Sequence, residues 1–574
     1  MDQLGTATVF VGGVVRVDEN TTAEAIAIRD GHVVCVGDRK TVLSQCMGAE
    51  EIDVTGCVVA PGLIDTHPHL LHFALLDAPL VDVRKAKSWK DILNAIQERA
   101  KMTPAGEWIM TTPVGSDEHY FIKESWRDLL EGALPDAAAL DSATNEHPVI
   151  IQAWAPCVPN VVALNTAGIK KLGLDGELPD SEGRITLEKD SAGELTGRVM
   201  GAVTNYYNTL NEAWTDIWDR IPFIQPELLP GALTNGMTQQ NALGVTTVYE
   251  GHAMDDQQIG LYKMLNDTSK LTVRVLAAPE LLSAAFFPLQ KRDEARLAKD
   301  LAAAARIQGD FGDMFKVDGF SVVPTGPGFN GHMIMREPYK GPFGETVQGR
   351  WVVSPELVEK AMRLGKERGF RVNICGGGWG ENETLLGLLD KLRTEGVLDG
   401  KERWILQHGF FMDQSQAERY AAHGVQATVC PGFTYGKGEM YAERMGEHVL
   451  QHLGAFRRMI DAGIDVAGSS DWGPKNPFRI MALAVTHEMG KGERRNDGPA
   501  QVVTQKEAYA MWGRQAAKVL NWPGVGDLYP GSHADLVFLD RDPVTCPIED
   551  LPGTQVAATL LGGRLVYGTL PVSS

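Results

Sequence analysis

The chain has 574 residues and a formal net charge of -20, from 54 basic and 74 acidic side chains. This acidic balance opposes nonspecific binding to nucleic acid or to an anionic membrane surface. The hydrophobic fraction of 44% and the charged fraction of 22% are ordinary globular values, which exclude a disordered or fibrous chain. We therefore expect a folded protein whose partner is a small molecule, with no nucleic acid and no membrane.

The cysteines and the N-terminus bear on the cellular compartment. The seven cysteines are scattered and include no CxxC pair, so a disulfide framework is not expected. The first residues lack the basic and apolar regions of a secretory signal, and no apolar run is long enough to span a bilayer. These features predict a cytoplasmic protein.

Both ends of the chain contain short strand-like runs separated by turn-forming dipeptides: Gly12-Gly13, Asp30-Gly31 and Gly562-Gly563. Such dipeptides between apolar runs predict β-hairpins. Because chain ends often pack together in compact proteins, we expect residues 1–62 and 527–574 to form one β-domain.

The middle of the chain, residues 63–526, alternates between strand-like and helix-like stretches. Helices are predicted over 356–368 and 414–423. Alternation of this kind predicts parallel βα units. More than eight candidate strands are present, and they include residues 148–152, 244–248, 271–275, 370–374, 404–407, 425–429 and 464–468. The region near 156–230 does not follow the strand–helix alternation. It could be an insertion over one face of the barrel, as a lid or pocket wall, and an insertion with a purely structural role is an equal alternative.

A histidine pair follows the first apolar strand of this region. His67 and His69 are separated by one residue, and side chains of an extended chain alternate between its two faces. The two imidazoles therefore point to the same side, where they can bind one metal ion.

Other polar groups stand at the ends of later strands: Lys316, Cys375, His408 and Asp471. In a parallel barrel, groups at the carboxyl ends of several strands converge on one site. Imidazoles and carboxylates suit zinc and similar divalent ions, and a catalytic ion lowers the pKa of its bound water. A carboxylate such as that of Asp471 can take the proton of the water and deliver it to the leaving group.

Three segments carry a resemblance to a known family: residues 59–69, 468–471 and 527–540. Over nearly its whole length the chain resembles the amidohydrolase superfamily, in the YtcJ-like branch that includes N-substituted formamide deformylases. The resemblance implies an α/β fold, a distorted TIM (β/α)8 barrel, with a composite β-sandwich formed by both terminal segments. It also implies a homo-oligomer, and we expect a homodimer.

The same resemblance implies a metal-dependent hydrolase that cleaves an amide or related C–N bond of a small organic molecule. His67, His69, His408 and Asp471 would be metal-site residues, with one or two ions bound. Lys316 occupies the position where relatives can have an N6-carboxylysine that bridges two metals. An exposed, unmodified lysine is the alternative for Lys316.

Cys375 departs from the family pattern, because relatives usually have a histidine at this position. Its thiolate could bind zinc, the second metal could be weak or missing, or the side chain could simply line the pocket. Asn160 likewise stands near the position of a pocket histidine in relatives. Both changes point to an atypical substrate or metal site.

Further polar and aromatic side chains are candidates for the substrate pocket: Asn160, His252, His332, Trp379 and Trp472. Trp154 could also shape an aromatic pocket, although large aromatic residues are more often packing elements. His72 has no evident role, and solvent exposure or packing is expected for it.

Two alternatives to amide hydrolysis stay open. The same scaffold supports deamination, ester hydrolysis, decarboxylation and isomerisation, since a fold does not fix a function. A noncatalytic binding protein with a degenerate metal site is the other alternative.

Overall fold

The computed structural model describes residues 7–115, 125–153, 157–174, 184–204, 212–285 and 289–571. It is a mixed α/β fold in which helices cover parallel sheets and both chain ends build a separate sheet. In these ranges no helix is both long and apolar enough to cross a membrane.

The chain ends meet in one eight-stranded sheet, which we call the terminal sheet. Strand Leu536–Leu539 pairs antiparallel with Val58–Pro61, so the C-terminal segment extends the N-terminal strands. In spatial order the strands are Arg564–Gly568, Val556–Leu561, Leu536–Leu539, Val58–Pro61, Thr8–Arg16, Thr22–Arg29 and His32–Gly37, while Glu50–Asp53 pairs with Thr8–Arg16.

Two of the three predicted hairpins are confirmed. Asp30 and Gly31 have φ values of 50° and 78°, and Gly562 and Gly563 have 55° and 75°. Positive φ at both central residues is the signature of a type I′ turn, whose twist matches that of the flanking strands. These dipeptides join antiparallel neighbours in the terminal sheet.

The hairpin predicted at Gly12-Gly13 is wrong. Strand Thr8–Arg16 runs through both glycines, with a register shift against its neighbour between Val11 and Val15. Gly12 has a φ of 84°, and a Cβ atom on Gly13 would lie 2.6 Å from the carbonyl oxygen of Cys57. The glycines therefore permit a bulge and a close strand contact, for which the sequence signal is the same as for a turn.

Two sheets of mainly parallel strands form the centre of the molecule. The first parallel sheet has the order Gly309–Asp310, Phe315–Val317, Arg274–Ala277, Val245–Glu250 and Leu63–Asp65, with only the short first strand antiparallel. The second parallel sheet has the order Glu280–Leu281, Phe320–Val322, Val372–Gly376, Ile405–His408, Gln426–Val429 and Val466–Gly468.

The two parallel sheets are continuous with each other at one side and touch at the other. The chain passes from Phe315–Val317 in the first to Phe320–Val322 in the second through Gly319, whose φ is 75°. At the opposite side the Thr66 amide and hydroxyl both donate to the carbonyl of Gly468, at 3.3 and 2.8 Å. The strands that end at Asp65 and at Gly468 are thereby held next to each other.

Helices alternate with these strands, as the sequence predicts. Pro355–Arg368 begins after Ser354, whose hydroxyl accepts from the Leu357 amide, and Gln414–Ala422 begins after Asp413 in a capping box. The helices are Arg39–Gln45, Leu70–Asp77, Trp89–Ala100, Ala137–Ala143, Thr166–Leu172, Glu212–Trp218, Leu229–Ala242, Asp256–Asp267, Glu294–Ile307, Pro355–Arg368, Trp379–Thr394, Gln414–Ala422, Gly432–Met445, Phe456–Asp461, Pro477–Thr486, Gln505–Ala510 and Arg514–Leu520.

The main core lies between the parallel strands and the helices that cover them. Leu63, Val245, Phe315, Val372 and Leu406 supply apolar side chains to it from successive strands. Side chains on the other face of these strands form a second cluster with helix Arg514–Leu520 and the segment that follows it. This cluster contains Ile64, Tyr249, Leu276, Ile405 and Trp522. Both faces of the parallel strands are therefore buried, which explains their nearly continuous apolar sequences.

The insertion that interrupts the strand–helix alternation begins before residue 156. Strand Val149–Ile151 was predicted among the βα units but pairs with Ile109–Thr111 and Asn160–Leu164 in a separate five-stranded sheet. Leu195–Gly201 and Ile185–Lys189 complete that sheet. Two small hairpins, Tyr339–Lys340 with Thr346–Val347 and Glu488–Met489 with Arg494–Arg495, lie elsewhere. The domain boundaries at 62/63 and 526/527 stay predictions.

Candidate metal centre

Four of the predicted metal-site residues converge at the carboxyl ends of parallel strands. His67 and His69 have their Nε2 atoms 3.0 Å apart. Asp471 Oδ2 lies 3.5 Å from His67 Nε2 and 3.6 Å from His408 Nδ1, and Asp471 Oδ1 lies 3.5 Å from His69 Nε2. His67, His408 and Asp471 each offer a potential ligand atom, and these atoms lie within 4.8 Å of one another.

His252 joins the same cluster from the strand Val245–Glu250. Together with His67 and His69 it forms a second set of potential ligand atoms, again within 4.8 Å of one another. Its Nδ1 atom lies 2.7 Å from Glu280 Oε2, and Glu280 also accepts from the Ala253 amide at 2.6 Å. A carboxylate on Nδ1 fixes the imidazole tautomer and leaves Nε2 for a metal.

A chain of hydrogen bonds orients His69 in a similar way. His72 Nε2 lies 3.0 Å from the carbonyl oxygen of Ala253, which can only accept. The Nδ1 atom of a neutral His72 is then an acceptor, and it lies 3.0 Å from His69 Nδ1. His69 must donate from Nδ1, so its Nε2 carries the lone pair that faces Asp471.

Asp65 connects the first strand to the segment that carries Asp471. Its Oδ1 accepts from the amides of His67 and Ser470, each at 3.1 Å, and its Oδ2 accepts from the Ser470 hydroxyl at 2.6 Å. The Asp471 amide donates to the His67 carbonyl at 2.9 Å. Residues separated by about four hundred positions in the sequence are thus held in one fixed arrangement.

Three cluster residues have a left-handed backbone: His69, His408 and Asp471, with φ of 50°, 76° and 48°. Such a conformation is uncommon outside glycine and costs free energy, and it is found most often at functional sites. It turns the side chains of residues at strand ends toward the common centre.

Burial and mutual proximity set the protonation of the cluster. Burial, followed by the neighbouring histidines, holds the pKa of His67 and His69 well below the usual range. Burial lowers the pKa of His408 to about 4, against the effect of Asp471. The imidazoles are therefore neutral near pH 7 and keep lone pairs for a metal. Burial also raises the pKa of Asp471.

A cavity opens onto this cluster. His69, His252, His408 and Asp471 line its floor, while its walls are largely apolar and aromatic. The wall residues include Phe329, Cys375, Phe410, Phe433, Tyr441 and Trp472.

The structure does not bring Lys316 to the cluster. Its Nζ pairs with Asp310 Oδ2 at 3.0 Å and lies over the Trp522 ring, 5.0 Å from its centroid. The Asp310 side chain is largely exposed, so the ammonium lies near solvent. This corresponds to the alternative of an unmodified lysine, and the predicted bridging role of Lys316 is not supported.

The other predicted pocket residues divide into two groups. Trp472 lines the cavity, with its ring centroid 5.0 Å from that of His69, and Cys375 lies in the wall. Burial, followed by Glu280 and Asp471, raises the pKa of Cys375 well above the usual range, so its thiol is protonated. Cys375 belongs to neither set of potential ligands found among the described residues of the cluster.

Asn160, His332 and Trp379 have other surroundings than those predicted for substrate-pocket residues. Asn160 Oδ1 accepts from Trp126 Nε1 at 3.3 Å in the separate five-stranded sheet. His332 is buried under the loop at Gly326, and Trp379 donates to Asp413 at 3.2 Å. None of the three is among the residues that line the described cavity. Trp154 lies outside the described residues.

Glu280 and the role of His72 were missed by sequence reasoning. Of the two alternatives expected for His72, solvent exposure and packing, the structure bears out packing, since the side chain is buried. Glu280 follows the strand Arg274–Ala277 closely, so a search of every strand end for carboxylates could have found it. His72 lies three residues after His69, a spacing that places both on one side of a helical turn.

The chain matches the model of the amidohydrolase family over residues 50–567. It is 26% identical to an N-substituted formamide deformylase of Arthrobacter pascens, over 99% of both chains. It is 22% identical to the putative amidohydrolase YtcJ of Bacillus subtilis (strain 168), over 96% of this chain and 97% of the relative.

Solved structures show the same fold. An uncharacterized metal-dependent hydrolase from Pyrococcus horikoshii OT3 matches with a TM-score of 0.70 and 20% identity, over 95% of this chain and 99% of the other. Atrazine chlorohydrolase TrzN from Arthrobacter aurescens TC1, complexed with zinc, matches with a TM-score of 0.52 and 15% identity, over 98% and 96%. The predicted resemblance is confirmed: this chain is an enzyme of the amidohydrolase family, in the branch of YtcJ and the N-substituted formamide deformylases.

Proposed function

We propose that this enzyme is a metal-dependent hydrolase that cleaves an amide or related C–N bond of a small organic molecule. The observation that carries the proposal is the cluster of buried, neutral imidazoles around Asp471 on the cavity floor. The name of the formamide deformylase, similar along its whole length, supports this choice of bond.

The residues present fit a divalent cation. The buried His408 Nδ1 has no hydrogen-bond partner among the described residues and lies 3.6 Å from Asp471 Oδ2. His67 and His69 present Nε2 atoms to each other at 3.0 Å. A buried polar atom without a partner is costly, so a cation that accepts these lone pairs would relieve the arrangement.

We assign the ligands to His67, His69, His252, His408 and Asp471, in one or two sites. Nitrogen and carboxylate ligands suit zinc, which is our first choice. His252 is the member that the sequence reasoning placed only in the substrate pocket. In this assignment it supplies the imidazole missing at Cys375, and Glu280 holds its ring.

When bound, a divalent ion would supply a Lewis acid and lower the pKa of a coordinated water. Burial raises the pKa of Asp471, so its carboxylate is a stronger base than a solvated one. Asp471 would take the proton of the attacking water and deliver it to the leaving nitrogen as the C–N bond breaks. One water is consumed, and an acid and an amine are released.

The cavity walls would position the substrate. Phe410 and Phe433 pack with ring centroids 4.4 Å apart, and Trp472 lies beside His69. Apolar walls exclude bulk water, which strengthens the electrostatic interactions inside the site.

We also propose that the two parallel sheets together form the eight-stranded barrel of the resemblance, with the terminal sheet as part of its β-sandwich. In this count the antiparallel strand Gly309–Asp310 is left out, Arg274–Ala277 and Glu280–Leu281 are one interrupted strand, and Phe315–Val317 and Phe320–Val322 are another.

The function is tested by metal removal and by substitution at Asp471. We expect chelator-treated protein to lose hydrolysis of a panel of N-substituted amides, and zinc to restore it. Asp471→Asn should lower kcat by at least about a thousandfold, because it removes both a ligand and the proton carrier. His448→Asn, at an exposed histidine, is the control. Full activity of Asp471→Asn, or products of deamination or decarboxylation only, would contradict the proposal.

The ligand assignment is tested by comparing His252→Asn with Cys375→Ser. We expect His252→Asn to weaken zinc binding in a competition with a chelator, and Cys375→Ser to leave it nearly unchanged. The reverse result would show that the thiol is the ligand. The homodimer and the cytoplasmic location stay predictions, to be tested by light scattering and cell fractionation.

A further inference from the structure

A second group of potential ligands lies outside the catalytic cluster. His32, Asp313 and His533 each offer one ligand atom, and these atoms lie within 4.8 Å of one another. We propose that these residues bind a divalent cation of the zinc class in an accessory, structural site. The site is independent of the proposed reaction.

The backbone holds the two histidines side by side. The Val33 amide donates to the Ser532 carbonyl at 2.8 Å, and the Ala534 amide donates to the Gly31 carbonyl at 2.8 Å. His32 and His533 form an isolated antiparallel bridge, with ring centroids 4.9 Å apart. A site built on paired backbone requires little reorganisation to bind an ion.

The hydrogen bond of His32 leaves a ligand atom available. Its Nδ1 lies 3.0 Å from the carbonyl oxygen of Asp30, which can only accept, so Nδ1 carries the proton. The lone pair is then on Nε2, as a metal ligand requires. Arg274, a cation that interacts electrostatically with His533, is already paired with Asp535 at 2.7 and 2.9 Å.

The accessory site lies at the amino ends of the parallel strands, and the catalytic cluster lies at their carboxyl ends. Asp313 precedes the strand Phe315–Val317, whereas His252 and Asp471 follow their strands. Parallel strands share one direction, so groups before and after them lie at opposite edges.

An ion held by ligands from three distant segments would cross-link those segments. Bonds of about 2.1 Å in a tetrahedral site place ligand atoms about 3.4 Å apart, so atoms that lie within 4.8 Å of one another reach one ion through side-chain shifts of about 1 Å. The remaining positions would be filled by water. Because the ion would bind the folded chain only, it would raise stability and join the terminal sheet to the segment before Phe315–Val317.

The test uses tag-free holoenzyme whose catalytic centre is already loaded, titrated with zinc in a calorimeter and by equilibrium dialysis. We expect one further ion per chain in the wild type and a rise in Tm with zinc. His533→Asn and Asp313→Asn should each lose that ion and the rise in Tm, and should keep the metal and activity of the catalytic centre.

Asp313→Asn changes an exposed side chain with little change of shape, so it keeps the test valid if His533→Asn folds poorly. His448→Asn is the matched control, because it removes an exposed histidine elsewhere and should retain the further ion. Equal stoichiometry and equal Tm response in the wild type and both site variants would overturn the proposal. A loss of activity by chelation does not bear on it.

Discussion

At the scale of single residues, the catalytic cluster depends on groups that do not themselves face the proposed metal. Asp65, Glu280 and His72 each accept or relay hydrogen bonds that fix the position of a candidate ligand. Such supporting partners commonly alter metal affinity by one to two orders of magnitude when removed.

We predict that His72→Phe weakens zinc binding by about 10- to 100-fold. The phenyl ring removes the acceptor for His69 Nδ1 and so releases the tautomer that directs Nε2 to the metal. The measurement is a chelator competition monitored by zinc content. His72→Asn can still accept a hydrogen bond and should lose less zinc affinity than His72→Phe. Equal zinc affinity in His72→Phe and the wild type would contradict the proposed role of His72 as the acceptor for His69.

His487 provides a test of pH dependence outside the metal centre. Burial lowers its pKa to about 4, while its ring donates to the Gln501 carbonyl at 3.0 Å. A depressed histidine pKa means that the unfolded chain binds the proton first as the pH falls below 6.5. Stability should therefore be lost between pH 6.5 and about 4, by up to about 3 kcal/mol from this residue.

The measurement is the free energy of unfolding in urea at pH 7 and pH 4.5, for the wild type and His487→Gln. We expect the loss on acidification to be smaller in the variant, since glutamine does not titrate. A loss of the same size in both proteins would show that His487 does not contribute. Any effect of metal release at low pH is shared by both proteins and cancels in the comparison.

At the scale of secondary-structure elements, the passage between the two parallel sheets depends on Gly319. A Cβ atom there would lie 1.9 Å from the Arg371 carbonyl oxygen, and the φ of 75° is already unfavourable for other residues. The glycine thus allows two short strands, Phe315–Val317 and Phe320–Val322, to pair with different neighbours.

We predict that Gly319→Ala destabilises the protein by more than about 2 kcal/mol, because backbone must move. The matched control is Gly344→Ala, where φ is 88° but nothing lies within 4 Å of the added Cβ. It should cost about 1 kcal/mol, from the backbone conformation alone. Equal costs in urea unfolding would contradict the steric argument.

At the scale of the whole molecule, a buried ion pair joins the terminal sheet to the first parallel sheet. Arg274 donates to both carboxylate oxygens of Asp535, at 2.7 and 2.9 Å, and to the Asp313 carbonyl at 2.6 Å. Asp535 also accepts from the Gly562 amide at 2.7 Å. The pair therefore connects residues 261 positions apart.

We predict that Arg274→Met costs about 3–5 kcal/mol of unfolding free energy, because it leaves the carboxylate of Asp535 buried without its charge partner. The control is Lys101→Met, which removes an exposed pair with Glu98 and should cost less than about 1 kcal/mol. Similar costs for both variants in urea unfolding would mean that the buried pair does not hold the sheets together.

Much of the local structure follows from the sequence. The dipeptides Asp30-Gly31 and Gly562-Gly563 predict turns because few other residues tolerate positive φ, and Ser354 and Asp413 mark helix starts because their oxygens satisfy free amides. The Gly12-Gly13 signal misled, since a bulge within a long strand has the same local requirement as a turn.

The family, the alternation of strands and helices and the pairing of His67 with His69 can be predicted from the sequence alone, because they depend on residues close together in the chain. The distant groups that complete the centre become evident only in the folded protein. The tertiary structure brought in His252 and Glu280 and left out Lys316, whose ammonium pairs with Asp310 instead. Which side chains reach the cluster depends on strand register. Strand register is set by packing across the whole molecule, which no local pattern contains.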